Sequence, residues 1–352
     1  MTVLPDWSRA WGGPVGAARV AWRPEDFQVD ERLGFEPEGE GPHLLVRIRK
    51  WRLSTSRAMQ ALARHWQVER RQMGYAGRKD RHALTTQWFS VPWPPGAPLP
   101  STGPIPLALD PDAGLKVLRV MRHRRKLPVG ALAGNDFRLT LREVGASADA
   151  LQARAVRIAR HGVPNYFGPQ RFGRDGDNLV RARQWFAGGA RPRSRNDRSM
   201  LLSAARAAAF NAILDARVKA GDWWGAEPGE ILTLDGRGSV FMAESGDARH
   251  NRLRGAGLRV HPTGPLPGRP GRGLELPEPL ALRESLVLQD WDGLVEGLVD
   301  NGLEAARRAL RLSVGALAVR RLDGQTWQLS FRLMRGAYAT TVLRELIDWD
   351  DG

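Results

Sequence analysis

There is no cysteine among the 352 residues of this chain. That excludes disulfides, thiolate catalysis and cysteine-ligated zinc together, and it leaves a cytoplasmic enzyme as the simplest expectation. Long apolar runs are missing too. The longest, LLSAARAAAFNAIL (201–214), is interrupted by Arg206, whereas a membrane span needs about twenty predominantly apolar residues. The first residues, MTVLPDWSRAWGG, carry no basic segment followed by an apolar core, so no secretory signal is expected. The seven histidines show no metal-ligand spacing such as HExxH, and no metal is expected. Acidic residues fall short: 38 Asp and Glu face 53 Lys and Arg, a net charge of +15. Such an excess favours polyanionic partners through counterion release and electrostatic steering. Lysine is scarce, so a general bias towards arginine explains the choice of cation. It does not explain the net excess.

Patterning divides the chain into three stretches. His43–Lys50 sets Leu44, Val46 and Ile48 against Arg47 and Arg49, as a half-buried strand does. After Ser54 or Thr55 as N-cap, Met59, Leu62, Ala63 and Trp66 recur at helical spacing. Leu84–Val91 is β-branched and aromatic, and Asp136–Val144 alternates Phe137, Leu139 and Leu141 against Arg138, Thr140 and Arg142, so both read as strands. The proline-rich run 92–106 reads as surface loop. In the middle, Ala148–His161, Asn178–Phe186 and Ser199–Ala220 have helical periodicity, 261–279 is Gly/Pro-rich loop, and Asp292–Arg311 is again helical. At the end, ALAVRRL and TWQLSFRLM flank Asp323-Gly324, a hairpin signal, and 338–349 closes as a helix. A β-rich start, a helical middle and a β-rich end predict an α+β fold with a catalytic domain built from both termini.

The most informative stretch is Gly74–Ser90, GYAGRKDRHALTTQWFS. Asp80 stands among Arg78, Lys79 and Arg81 just before a strand, and opposite charges nearby favour the charged form of a carboxylate. That form serves a nucleophile or a general base. By pattern alone the same segment reads as a solvated charged turn.

Its wording resembles the TruD family of tRNA pseudouridine synthases, in which a phrase GYAG-x-KDR-x-A-x-T-x-Q carries the catalytic aspartate. Other blocks agree, in the family's order. They are PEDFQVDE (24–31) with the following GFEPEGEGPHLLVRI, HRRKLPVGALAGNDFRLTLR (123–142), HGVPNYFGPQRFG (161–173), RSMLLSAARAAAFNAIL (198–214) and SFRLMRGAYATTVLREL (330–346). The resemblance covers nearly the whole chain and is weak only over 221–290.

The resemblance implies a catalytic domain over 1–154 and 304–352, with an α/β domain inserted over 155–303. It implies isomerisation of a uridine of tRNA, uridine 13, to pseudouridine, without a cofactor, by a monomer that needs no protein partner. Asp80 stands at the catalytic position. Phe27, Asn135 and Phe331 stand at substrate-binding positions. A phenyl face stacks on a base for about 1–3 kcal/mol, and an amide both donates to and accepts from a uracil edge. Read without the family, Phe27 and Phe331 fit a core, and Asn135 fits a turn. Where relatives have a lysine three residues before the PEDF proline, this chain has Ala21, flanked by Arg19 and Arg23. Either of these, or Arg78, is a candidate ion-pair partner for Asp80.

Arg122–Lys126 is the densest cationic run, and Arg191, Arg193, Arg195 and Arg198 form another. With Arg78 and Lys79, the residues Arg124, Arg125 and Lys126 are the candidate RNA contacts. Tyr166, Phe167 and Phe172 fit either base stacking or a structural loop. Two rival readings are weighed. A non-catalytic RNA-binding protein of the same fold would have no need of the Asp80 carboxylate. A glycosidase-like hydrolase needs a second acid, which the Asp80 motif does not contain.

Overall fold

The computed structural model of the chain describes residues 4–20, 23–107, 112–271 and 275–350. Its contacts form two compact units, each discontinuous in sequence. One comprises 15–155, 315–336 and 347–352, and the other 1–14, 156–314 and 337–346. Helices and strands mix without a repeating βαβ order, the mark of the α+β class.

The first unit is built on one sheet of eleven described strands. The main path runs Gly315–Asp323, Thr326–Met334, Leu132–Arg142, Phe27–Leu33, Leu84–Pro92, His43–Trp51, Gly114–His123 and Gly103–Pro104. Phe27–Leu33 pairs in parallel with Leu84–Pro92, and the remaining neighbours on this path are antiparallel. The helix Thr55–His65 starts where its cap chemistry predicts, with the Ser54 side chain accepting from the Arg57 N–H. Its Ala58, Met59 and Leu62 pack with Leu44, Val46, Ile48 and Phe89. The alternate residues Leu45 and Trp88 pack with Leu127 and Leu132 in a separate cluster. The central strands are thus buried on both faces, at about 1.5–3 kcal/mol for each large apolar side chain removed from water. In His43–Lys50 the alternation holds at Arg47, partly exposed, and Arg49, exposed, against the buried Leu44, Val46 and Ile48; Leu45 alone is buried on the arginine face.

The second unit is organised by the helix Arg195–Ala220, buried almost all round from Leu201 to Val218. Leu179, Ala182, Leu294 and Leu298 pack on one part of it, and Tyr166, Trp223 and Leu310 on another. A four-stranded sheet of Val240–Met242, Ile231–Leu234, Val260–Leu266 and Ala306–Ala309 completes the unit.

The structure differs from the sequence expectations in several places, among them the unpredicted helices Ala248–Ala256 and Glu278–Leu288 and the short strand Gly103–Pro104 within the run read as loop. Part of the presumed loop 261–279 is the strand Val260–Leu266; Pro262 keeps its place in the ladder by accepting from the Leu310 N–H, and Pro265 lies past the last partner in Ile231–Leu234. The helix expected over 292–311 stops at Asp300, because Gly302 takes φ +76°, which favours glycine. The following Ala306–Ala309 then joins the sheet. The C-terminal helix ends at Leu346, and Asp348–Asp350 pairs in parallel with Ala17–Val20. Finally, residues 1–14, 304–314 and 337–346 belong to the second unit. Trp7 stacks on Tyr166, Trp11 meets Trp223 edge-on, and the Ala10 and Trp11 N–H groups donate to Glu345. Contacts of such sequence separation leave no periodic trace.

Candidate active site

In the first unit, strand register brings chemistry onto one face, since residues opposite each other across a pair share a face. Phe27 stands opposite Leu139, Val29 opposite Phe137, and Glu31 opposite Asn135. Phe331 stands opposite Phe137, and Leu333 opposite Asn135. Val29 is partnered by Thr85, and Thr85 by Lys50. Phe27, Asn135 and Phe331 therefore share a face with Glu31, Thr85 and Lys50.

The PEDF segment sets Phe27. Its turn Pro24–Asp26 buries the Asp26 carboxylate, which accepts two bonds from Arg142 (2.9 and 2.7 Å) and one from the Arg23 N–H (3.1 Å). A planar guanidinium gripping both carboxylate oxygens fixes direction as well as distance. Phe27, half-buried, meets Phe137 edge-on at 6.4 Å, and Phe137 stacks on the buried Phe331 at 5.2 Å. Beside them Gly134 permits the close strand approach: a Cβ there would lie 2.3 Å from the Leu333 carbonyl oxygen. The Asn135 Oδ1 and Thr85 Oγ1 atoms are buried and have no hydrogen-bond partner among the described residues. Buried polar atoms are paired as a rule, so each orphan marks a position where a partner would be welcome.

The loop carrying Asp80 is held from beneath through its backbone. The Gln87 amide donates to the Gly77 carbonyl, the Lys79 N–H donates to the Thr55 hydroxyl (2.9 Å), and that hydroxyl donates to Gln87 Oε1 (3.2 Å). Lys50, 0% exposed, donates through Nζ to the Asp80 carbonyl (2.7 Å). Burial lowers the Lys50 pKa to about 8, Asp80 opposes that shift, and Lys79 adds to it. Asp80 itself is exposed, and its Oδ1 accepts from the His82 N–H (2.9 Å). The fold thus anchors the main chain of the loop and leaves the carboxylate facing solvent.

Lys79 does not behave as an RNA-facing cation. Its ammonium, 6% exposed, pairs with the fully buried Glu31 carboxylate, which also accepts from the Trp88 N–H (3.0 Å). Burial pushes the Glu31 pKa up, and Lys79 and Trp88 oppose it. Removing either partner would strand a buried charge. Arg78 is exposed. Among the described residues no lysine or arginine forms an ion pair with Asp80: Arg19 pairs with Glu143, and Ala21 lies outside the described residues. Glu31, Lys50, Thr55 and Gln87 were missed by sequence reasoning. The available signal for Lys50 was a lysine in register with the apolar face of Leu44, Val46 and Ile48, where the other two cations of the strand, Arg47 and Arg49, occupy the opposite face.

The 122–126 run is only partly free. Arg122 donates to the Gly41, Pro94 and Ala97 carbonyls, Arg124 pairs with Glu40, and Lys126 donates to the Arg71 carbonyl. Arg125 is exposed and has no such partner among the described residues. Replacing Arg124, Arg125 and Lys126 together by Ala should weaken tRNA binding and flatten log K against log[salt] by roughly 0.7 per lost phosphate contact. Arg125→Ala alone should account for more of this than Arg124→Ala, whose cation is already neutralised by Glu40. Equal effects of the two single changes, or an unchanged slope in the triple variant, would remove the run from the RNA footprint.

In the second unit, Tyr166 and Phe172 are buried, and Phe167 lies under the Arg308 guanidinium at 4.2 Å. These rings serve packing. Among the described residues no group of three His, Asp or Glu converges as a metal site, and no helix is long and apolar enough to cross a membrane.

Comparison with known proteins matches the family model for tRNA pseudouridine synthase D (TruD) over residues 14–180 and 176–346. A protein from Nitrosococcus oceani named tRNA pseudouridine synthase D is 47% identical over 96% of this chain and 93% of its own length. One of the same name from Methylococcus capsulatus is 44% identical over 98% and 95%. A solved structure from Methanosarcina mazei, described under the same family name, superposes with a TM-score of 0.70 at 23% identity, covering 98% of this chain and 96% of its own. At that identity the likeness concerns the fold.

Proposed function

Because the chain belongs to the tRNA pseudouridine synthase D (TruD) family, we propose that it isomerises one uridine of tRNA, uridine 13, to pseudouridine with Asp80 as catalytic residue. One observation carries this reading. The Asp80 loop is hydrogen-bonded through Lys50 to the sheet face that bears Phe27, Asn135 and Phe331, while its carboxylate stays exposed.

The reaction breaks the N-glycosidic bond, turns the uracil and rejoins it through C5, which then gives up its proton while the freed N1 gains one, so that substrate and product are isomers. The uridine must first be unstacked, since its ring and glycosidic bond are otherwise out of reach. Phe27, the partly exposed ring of the aromatic cluster, is suited to stack on the freed base. The orphaned Asn135 Oδ1 is suited to accept from the uracil imide N–H. Asp80 then acts either by attack on the nucleoside or by removing a ribose proton to give a glycal. Both routes start from the carboxylate, and neither requires a redox change. The protein acts in the cytoplasm as a monomer, without a protein partner.

Carbodiimide-based mapping of pseudouridine in cellular tRNA, with and without this protein, tests the assignment: the modification at position 13 should vanish in its absence, and its persistence would sink the reading. Turnover should also survive EDTA and need no nucleotide, once the tRNA is folded. Inactivation by chelator with rescue by zinc alone would count against it.

A further inference from the structure

The second unit contains a concavity of about 470 Å³ whose lining includes Asp235, Arg237, Arg254, Arg259 and Ser313. Apart from Ser313 its lining falls within 221–290, the stretch over which the family resemblance is weak. Among the described residues, none of the three guanidinium groups has a hydrogen-bond or ion-pair partner. Their backbones nevertheless form one frame. The Asp235 N–H donates to the Arg259 carbonyl (3.0 Å), the Arg259 N–H to the Arg254 carbonyl (2.8 Å), and the Thr233 hydroxyl to the Arg237 carbonyl (3.2 Å). Arg237 and Arg259 are exposed and Arg254 partly so, and three cations around one hollow concentrate a positive potential there that attracts an anion.

The hollow also offers an acceptor. Asp235 Oδ1 contacts His261 Nε2 (2.9 Å) and accepts from the Ser313 hydroxyl (3.1 Å), while the buried Arg311 donates through Nε to His261 Nδ1 (2.9 Å). A donor at Nδ1 places the ring proton on Nε2, where it is given to Asp235. The ring therefore has no lone pair for the Ser313 proton, and this Ser–His–Asp grouping braces Asp235 instead of activating a nucleophile. Oδ2 of Asp235 has no partner among the described residues.

A ligand that meets three cations and a carboxylate must be anionic and must also donate a hydrogen bond. A bare phosphate satisfies the arginines and opposes Asp235. A ribose–phosphate satisfies both, its phosphate oxygens suiting planar guanidinium donors and its 2′-hydroxyl suiting the free carboxylate oxygen. We infer that this concavity binds the ribose–phosphate backbone of RNA. That the RNA is the tRNA substrate rests on the proposed function.

The test measures tRNA binding by the full chain at several salt concentrations. Arg237→Ala, Arg254→Ala and Arg259→Ala combined should weaken binding on the order of tenfold and flatten the salt slope by about 2, at roughly 0.7 per contact. The three Arg→Lys changes combined should keep most of the slope, because the charge remains. Asp235→Ala should narrow the preference for a single-stranded RNA over the DNA of the same sequence, and Ser313→Ala, which leaves Oδ2 in place, should not. Unchanged affinity and slope in the alanine variant would overturn the inference. So would competition by AMP that disappears in the alanine variant, since that marks a site for free nucleotides. These readings do not depend on turnover. A wild type that forms no pseudouridine sinks the proposed function alone, and an active wild type with an indifferent alanine variant sinks this inference alone.

Discussion

Asp80→Asn is expected to abolish pseudouridine formation while tRNA binding stays within a few-fold of wild type. The amide has nearly the same shape and can still accept from the His82 N–H, so the turn at Asp80 survives. No ion pair on the Asp80 carboxylate is broken by the change among the described residues. What disappears is the negative charge and the nucleophilic or basic oxygen. Breaking a catalytic unit commonly costs three to six orders of magnitude in rate. Single-turnover assays with saturating tRNA would measure the loss, and residual turnover above about a thousandth of wild type would refute Asp80 as the catalytic residue. A variant that binds tRNA poorly would instead point to a misplaced loop, which thermal melting would reveal.

The next largest effect is expected from Lys50→Met. Methionine fills much of the same volume but cannot donate to the Asp80 carbonyl, the bond that ties the loop to the sheet. Displacement of a reacting group by about 1 Å costs on the order of a hundredfold in rate, so kcat should fall by that order with KM little changed. Stability should move the other way. Folding lowers the Lys50 pKa from 10.5 to about 8, so the unfolded chain binds the proton more tightly. The cost of burying the ammonium is fully present below pH 8 and is relieved as pH rises from 8 towards 10.5. Lys50→Met should therefore melt no lower than wild type at pH 7. Activity depends on that same charged form, which stability disfavours. The cation holds the carbonyl more strongly than a neutral amine, so wild-type turnover should decline above about pH 8 through a step that Lys50→Met lacks. Titration of the uracil is common to both proteins and cancels in the comparison. Parallel pH profiles for the two would leave Lys50 as a structural residue only.

Much of this site could be read from the residues. The Asp80 phrase, the PEDF segment and the alternation around Asn135 and Phe331 are local in sequence, and so was their resemblance to a family. Lys50 and Glu31 were not legible. One looks like the basic end of a strand and the other like an acidic strand residue, and only pairing across strands turns them inward. Lys79 shows the limit most clearly. Among Arg78, Asp80 and Arg81 it reads as one more solvated cation, yet the loop directs it to Glu31. The direction of a long side chain depends on what is buried nearby, and a charge pattern carries no information about that.

The same division holds for the whole molecule. The sequence by itself determined the α+β class, the helices Thr55–His65, Ala148–His161 and Asp177–Phe186 to within a residue or two and the Asp323-Gly324 hairpin, because propensity, period and turn chemistry act over a few neighbouring residues. Tertiary structure decided that Val260–Leu266 is a strand despite its prolines, since pairing with Ile231–Leu234 and Ala306–Ala309 outweighs their local preference. It decided that residues 1–14 and 337–346 belong with the second unit, since Trp7, Trp11 and Glu345 find their partners there. It also decided which cations are spent on structure, Lys50, Lys79 and Arg311, and which have no partner among the described residues, Arg125, Arg237, Arg254 and Arg259. Burial forces a charge to find a partner, and exposure leaves it available to a polyanion.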